Sequence, residues 1–235
     1  LVLKKDTYHR IHDLAKIQQG ELSVGFTPGR GIAMFSNVYP KFHRLHPNIQ
    51  VTPRELSVQK QQELLISGEL DLGFVTLVPE PALSYIPLAS EDIFAAVPIR
   101  HPIATPPEEG WTNAVPVREG EISELNLYAL REEPFVLTYK ESTLRDLTDH
   151  IFESASFKPH VLFETSSNAT ITTMVGAEMC CGIIPAFYAR GHEDKIRFFT
   201  LPGKPSWNIM ACHHKKRYLS KAARDFISLA EEFWN

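Results

Sequence analysis

Short apolar runs alternate with stretches of helical periodicity, and that alternation limits the fold of this chain more than any other feature. Residues 22–26, 49–56 and 71–75 read as strands. Between the first two, Ile32, Phe35, Val38, Tyr39, Phe42 and Leu45 recur at helical spacing. A second helical stretch over 58–67 closes at Gly68. Strands separated by helices pair in parallel through crossovers, so the pattern predicts βαβαβ. It then repeats. Residues 135–138, 160–163 and 180–184 read as strands, with helices whose face is Leu144, Leu147, Thr148, Ile151 and Phe152, and then 168–177. Strand signals at 83–87 and 93–97 precede this second set, and 197–201 and 207–212 follow it. Ser220 caps a last helix with Ala223, Phe226, Ile227, Ala230 and Phe233 on its apolar face. No flexible linker divides the two sets. The expected fold is α/β, with two Rossmann-like lobes joined by crossover strands and a cleft at the strand ends, where open α/β sheets bind ligands.

Three stretches fit less simply. Residues 1–19 read as a helix with one apolar stripe, Leu3, Tyr8, Ile11, Leu14 and Ile17, which suits pairing with another chain. Pro40 either kinks the first long helix or lies in the first turn of one that begins near Ser36. Residues 100–125, rich in Pro, Glu and Gly, read as a long surface connection.

Charge and cysteine usage narrow the function. The 235 residues carry 24 Lys and Arg against 28 Asp and Glu, a net charge of −4. Such a chain does not grip nucleic acid by phosphate neutralisation, and the basic run 213–217 reads as a solvated turn. No run reaches the length of a membrane span, and the first residues lack a signal-peptide pattern. Three cysteines give neither a disulfide framework nor zinc spacing, and ten histidines show no ligand pattern. The expectation is a cytoplasmic protein with no metal or cofactor. Cys180 and Cys181 sit in an apolar run and read as inert core thiols. Asp71, inside Gly-Glu-Leu-Asp-Leu, reads as a structural hydrogen-bonding group.

The turn Thr27-Pro28-Gly29-Arg30-Gly31 links a buried strand to a helix. A helix start leaves amides unpaired and carries roughly half a positive charge. Glycines let a ligand approach the backbone, Thr27 adds a hydroxyl, and the Arg30 fork suits a carboxylate or phosphate. The turn therefore reads as one wall of an anion site. It lacks the Gly-Lys-Ser/Thr ending of a phosphate loop. Thr76, then Ser142 and Thr143, then Ser166, Ser167 and Asn168 occupy equivalent strand ends. Plain helix capping and a surface ion pair of Arg30 explain the same residues without a ligand.

Gly20–Gly25, Phe42–Ile49 and Gly68–Phe74, together with 101–104, 175–177 running to 182–185, and 219–226, resemble the regulatory domain of LysR-type transcriptional regulators in order and spacing across residues 1–235. The resemblance implies a periplasmic-binding-protein-like (type 2) pair of lobes with a small effector between them. Residues 1–19 would be the end of a linker helix, 20–95 and 209–235 lobe I, and 96–208 lobe II. Effector contacts would fall at Thr27, Gly29, Arg30, Thr76, Ser142, Thr143, Ser166, Ser167 and Asn168. Arg30 replaces a short polar residue and favours an acidic effector, probed by small carboxylates. Met179-Cys180-Cys181 replaces a small, Gly-rich run. The family's DNA-binding helix-turn-helix precedes such a domain, so DNA is reached only through that part. Homo-oligomers, dimer or tetramer, are also implied. A solute-binding protein of a transport system and a two-lobed enzyme acting on a small acid are the competing readings.

Overall fold

The computed structural model describes residues 7, 20–76, 78–104 and 122–234. Apart from Thr7, the expected linker helix over 1–19 lies outside them, as does most of the long connection at 105–125. The chain divides into two compact units, one holding the residues up to Ser90 and those from Asn208, the other Glu91–Trp207. The family resemblance implies these crossings at 95/96 and 208/209.

In the first unit β1 (Gly20–Phe26) pairs in parallel with both β2 (Ile49–Glu55) and β3 (Leu72–Thr76), and β3 pairs antiparallel with β9 (Ser206–His214). Helices α1 (Arg30–Leu45) and α2 (Val58–Ser67) are the crossovers, and α5 (Lys221–Trp234) ends the chain. One core joins Leu22, Val24 and Phe26 of β1 to Met34, Val38 and Phe42 of α1 and Phe226 of α5. A second core joins Leu64 and Leu65 of α2 to Leu70, Val75 and Cys212. The central strands β1 and β3 are thus covered on both faces and buried at nearly every position, whereas the neighbouring β2 alternates and carries polar residues.

Polar groups buried in this unit tie strands together. Gln61 is fully buried; its amide donates to the Leu56 carbonyl at 3.2 Å, and its Oε1 accepts the Phe74 N–H at 3.1 Å. Asp71 Oδ2 accepts both the Ser23 N–H at 2.9 Å and the Ser23 hydroxyl at 2.7 Å. Ser23 Oγ in turn accepts the Asp71 N–H at 2.9 Å. Asp71 is therefore the structural clasp that its sequence setting suggests. At the far end of α1, His46 Nε2 lies 2.8 Å from Asp225 Oδ2, to which Lys221 Nζ also donates at 2.7 Å. Burial pushes the Asp225 carboxyl up, but the hydrogen bonds from Lys221 and His46 outweigh it and hold the carboxyl below its usual range.

In the second unit the later half of β4 (Leu83–Pro98) pairs antiparallel with β7 (Gly182–Pro185) and β8 (Ile196–Thr200). The parallel pair β5 (Pro134–Thr138) and β6 (His160–Thr165) is bridged by α3 (Thr143–Ser154). Helix α4 (Asn168–Gly176) follows β6. Phe135 and Leu137 pack with Leu144 and Phe152 of α3, whereas Val136 packs with Ile171 and Val175 of α4. The two-residue period of the strand thus puts the helices on opposite faces of β5.

One expectation changes, and one choice left open by the sequence is decided. The separate strand signals at 83–87 and 93–97 are one 16-residue strand, because the polar Ser90-Glu91-Asp92 segment is where the chain passes from one unit to the other without leaving extended geometry. Helix α1 begins at Arg30, so Pro40 lies in its interior. Pro40 and Ser36 are both exposed, and water can satisfy the Ser36 carbonyl that Pro40 cannot.

Asp71→Ala removes the acceptor of two Ser23 donors and should cost about 2–4 kcal/mol, read as a lower urea midpoint with an unchanged slope. A depressed folded pKa contributes stability that is present above the ordinary value of 3.8 and is lost as pH falls through the folded value. Asp225→Asn should therefore lower stability at neutral pH and flatten its decline below pH 3.8, measured by urea denaturation from pH 6 to pH 3.

Candidate functional site

The turn after β1 is shaped by backbone geometry. Gly29 has φ 74° and ψ −102°, a conformation that a side chain would strain. Arg30 starts α1 directly, and no side chain caps the helix. Gly31 is pressed against the strand: a Cβ there would lie 3.0 Å from Phe26 Cβ. The Gly29 carbonyl accepts the Ala33 N–H at 3.1 Å, and the amides of Gly31 and Ile32 have no acceptor within the helix. Thr27 is half-buried at the edge of this turn. Thr76 ends the neighbouring strand β3, opposite Ile209, and is buried. The four sequence-predicted residues of this unit thus gather at the carboxyl edge of β1 and β3. Arg30 takes a different posture from an outstretched fork. It is 5% exposed, and its guanidinium lies 5.6 Å from the ring centre of Trp234 on α5.

The second unit assembles the other five at the carboxyl ends of β5 and β6. Ser142 Oγ caps α3 by accepting the Leu144 N–H at 3.3 Å, and Ser167 Oγ caps α4 by accepting the Thr170 N–H at 3.2 Å. Thr143 and Asn168 are the first residues of these helices. Thr138 and Thr165 face each other in register, and Thr165 Oγ1 accepts the Ser167 N–H at 3.2 Å. Two helix starts therefore converge on one pair of strand ends, with Ser166 exposed between them. Capping explains Ser142 and Ser167 fully, and it leaves other groups over. Thr138 is 4% exposed, yet its Oγ1 meets no partner, and the same holds for the buried Asn168 Oδ1. Thr138 lies on the same face of β5 as Val136, the face covered by α4.

Thr138 and Arg145 also belong to this corner, and the sequence reading does not single them out. Thr138 carries a signal, as the last polar residue of a strand in phase with Val136. Arg145 carries one too, as a cation in the first turn of a helix, where the dipole disfavours it.

Elsewhere in this unit a cavity of about 210 Å³ opens beside Pro134 and Met179. Its charged groups already pair, Arg100 with Glu178 at 3.6 Å and His101 with Glu133 at 3.2 Å. Cys180, Cys181 and Cys212 are buried free thiols. Burial pushes them up to about 11, 12 and 12, so they stay protonated at neutral pH and make poor nucleophiles. Among the described residues no group of three or more His, Cys, Asp or Glu could hold a metal ion, and no helix is long and apolar enough to cross a membrane.

Comparison with known proteins agrees with this architecture. Residues 15–235 match the family model of the LysR substrate binding domain. The HTH-type transcriptional regulator YwbI of Bacillus subtilis (strain 168) is 29% identical over 229 residues, which cover 95% of this chain and 70% of that protein. The effector binding domain of QuiR in complex with shikimate superposes with TM-score 0.70 at 18% identity, over 92% of this chain and 97% of that one. The regulatory domain of Synechocystis PCC6803 CcmR in complex with 2-PG gives TM-score 0.73 at 18% identity, over 92% and 98%. With two α/β units, parallel strand ends facing helix starts, and a family match over nearly its whole length, the chain belongs to the LysR-type transcriptional regulators and is their effector-binding domain.

Proposed function

We propose that this domain binds a small organic acid at its polar strand ends, and that binding changes the DNA affinity of the whole regulator through its helix-turn-helix. The observation that carries the reading is the corner of α3 and α4. Two helix starts attract negative charge there, the buried Thr138 Oγ1 stands without a partner and can donate to an anion, and the buried Asn168 Oδ1 can accept from a hydroxyl of the same acid. The acid's charged group is held by amides and hydroxyls around Ser142, Thr143, Ser166, Ser167 and Asn168. The same reading assigns contacts to Thr27, Gly29 and Thr76 in the first unit, with Arg30 a fixed charge behind its turn. QuiR and CcmR, of the same fold, were solved with small organic acids, which favours that ligand class.

Only a ligand's differential affinity for two arrangements shifts their balance. A coupling of about 1–3 kcal/mol would change DNA affinity roughly five- to 150-fold. We further infer a cytoplasmic homo-oligomer, dimer or tetramer, without catalytic turnover. The relatives are transcriptional regulators, which favours sensing over transport or catalysis. Turnover of a small acid by the purified domain would reverse that part.

A thermal-shift panel of small carboxylates, with shikimate and 2-phosphoglycolate included, tests the proposal. Affinities between micromolar and millimolar are expected from a handful of polar contacts. A hit at ten times its Kd should stabilise by about 1.4 kcal/mol and raise Tm by about 3–6 °C. Arg30→Met keeps the aliphatic stem against Trp234 and removes the charge. It should weaken the best hit several-fold, and an unchanged affinity would remove Arg30 from the site. A panel in which amides of the same acids bind equally well would end the acidic reading.

A further inference from the structure

We infer that Arg145 is the positioning residue of the anion-holding corner: it sets the charge felt at the start of α3 without contacting the effector. The inference rests on the reading of the β5–β6 corner as effector-binding, and it begins from a misfit. Arg145 is the third residue of α3 and only 8% exposed, so a buried cation faces the positive end of a helix dipole. Burial opposes its charge, and hydrogen bonds to Glu164 and Asp149 more than compensate, raising its pKa.

The geometry explains the placement. Arg145 Nη1 donates to the Thr138 carbonyl at 2.9 Å and to Glu164 Oε1 at 2.5 Å, and Nε donates to Asp149 Oδ1 at 2.8 Å. One guanidinium therefore binds the last residue of β5, the penultimate residue of β6 and the second turn of α3. Two effects follow for an anion at this corner. The Thr138 carbonyl, whose negative end would repel it, is engaged by the guanidinium. The Glu164 carboxylate, next in chain to Thr165, is neutralised in place. Without Arg145, Glu164 beside the helix starts and Asp149 one turn along α3 would lose this cation and add to the negative charge of Asp146 in the first turn of α3. The unpartnered Thr138 Oγ1 belongs to the same residue whose carbonyl Arg145 holds.

A reporter thiol tests this before any effector has been identified. Thr143→Cys puts a sulfhydryl at the first residue of α3, where its pKa reads the local potential. The native thiols, pushed up to about 11, 12 and 12, stay silent. The pH profile of alkylation by iodoacetamide gives the reporter's pKa, expected below the free-thiol value of about 8.5. Arg145→Gln should raise it by about 0.5–1 unit, a several-fold slower reaction at neutral pH. Arg145→Lys should hold it near the parent value. Arg145→Gln with Glu164→Gln should bring most of the shift back, which a purely packing role would not do. Should Arg145→Gln fail to fold, Glu164→Gln alone decides: it should lower the reporter pKa by a similar amount. An unmoved reporter in Glu164→Gln or in folded Arg145→Gln overturns the inference and leaves the thermal-shift result standing. A moved reporter with no acid binding in the panel keeps the electrostatic role and removes the effector reading.

Discussion

Parallel strand pairing is the constraint from which the rest of this molecule follows. A strand that must return beside its neighbour in the same direction needs a helix to carry it back. The parallel strands of each unit then end, and its crossover helices begin, at one edge. In the first unit that edge is built by β1 and β3, with α1 starting after β1. In the second it is built by β5 and β6, with α3 and α4 starting beside them. Helix starts carry unpaired amides and a partial positive charge. An edge of this kind therefore favours small anions before any dedicated side chain is added.

Buried polar groups then sort into two kinds. Gln61, Asp71 with Ser23, and Arg145 have partners, and each joins elements distant in sequence: α2 to β3, β1 to β3, and α3 to both β5 and β6. They serve the fold, because a buried polar group left unpaired costs about 1–3 kcal/mol. Thr138 Oγ1 and Asn168 Oδ1 are of the other kind, buried without a partner where two helix starts meet. His46 Nδ1 at the end of α1 is also buried without a partner, but Thr138 Oγ1 and Asn168 Oδ1 share one corner and leave room there for chemistry from outside. Arg145 connects the two kinds, since the clamp that secures the fold also offsets the carboxylates next to the corner.

Much of the architecture is legible in the sequence because periodicity is local. The apolar stripe of α1, the Ser57, Ser142, Ser167 and Ser220 caps and the Gly68 stop all act within one or two turns of themselves. The polar residues at the strand ends are legible for the same reason, since a cap and a ligand contact call for the same short side chains. The long strand β4 resists such reading because its polar middle resembles a turn until both halves find partners. Pro40 resists because its tolerance depends on which side of α1 faces water. The two arginines are harder still. Arg30 stands out in a Gly-rich turn, yet it packs over Trp234, more than 200 positions away; Arg145 is marked in the sequence only as a cation in a helix's first turn, yet it binds β5, β6 and its own helix.

The sequence by itself determined the class of the fold, its two α/β sets and the strand ends at which short polar residues collect, since hydrophobic period and capping chemistry are encoded over a few residues. Only the tertiary structure decided which cation is clamped to which carboxylate, which hydroxyl is buried without a partner and where each glycine is pressed against a neighbour. Those outcomes depend on burial and on contacts between residues far apart in the chain, and no local pattern carries them.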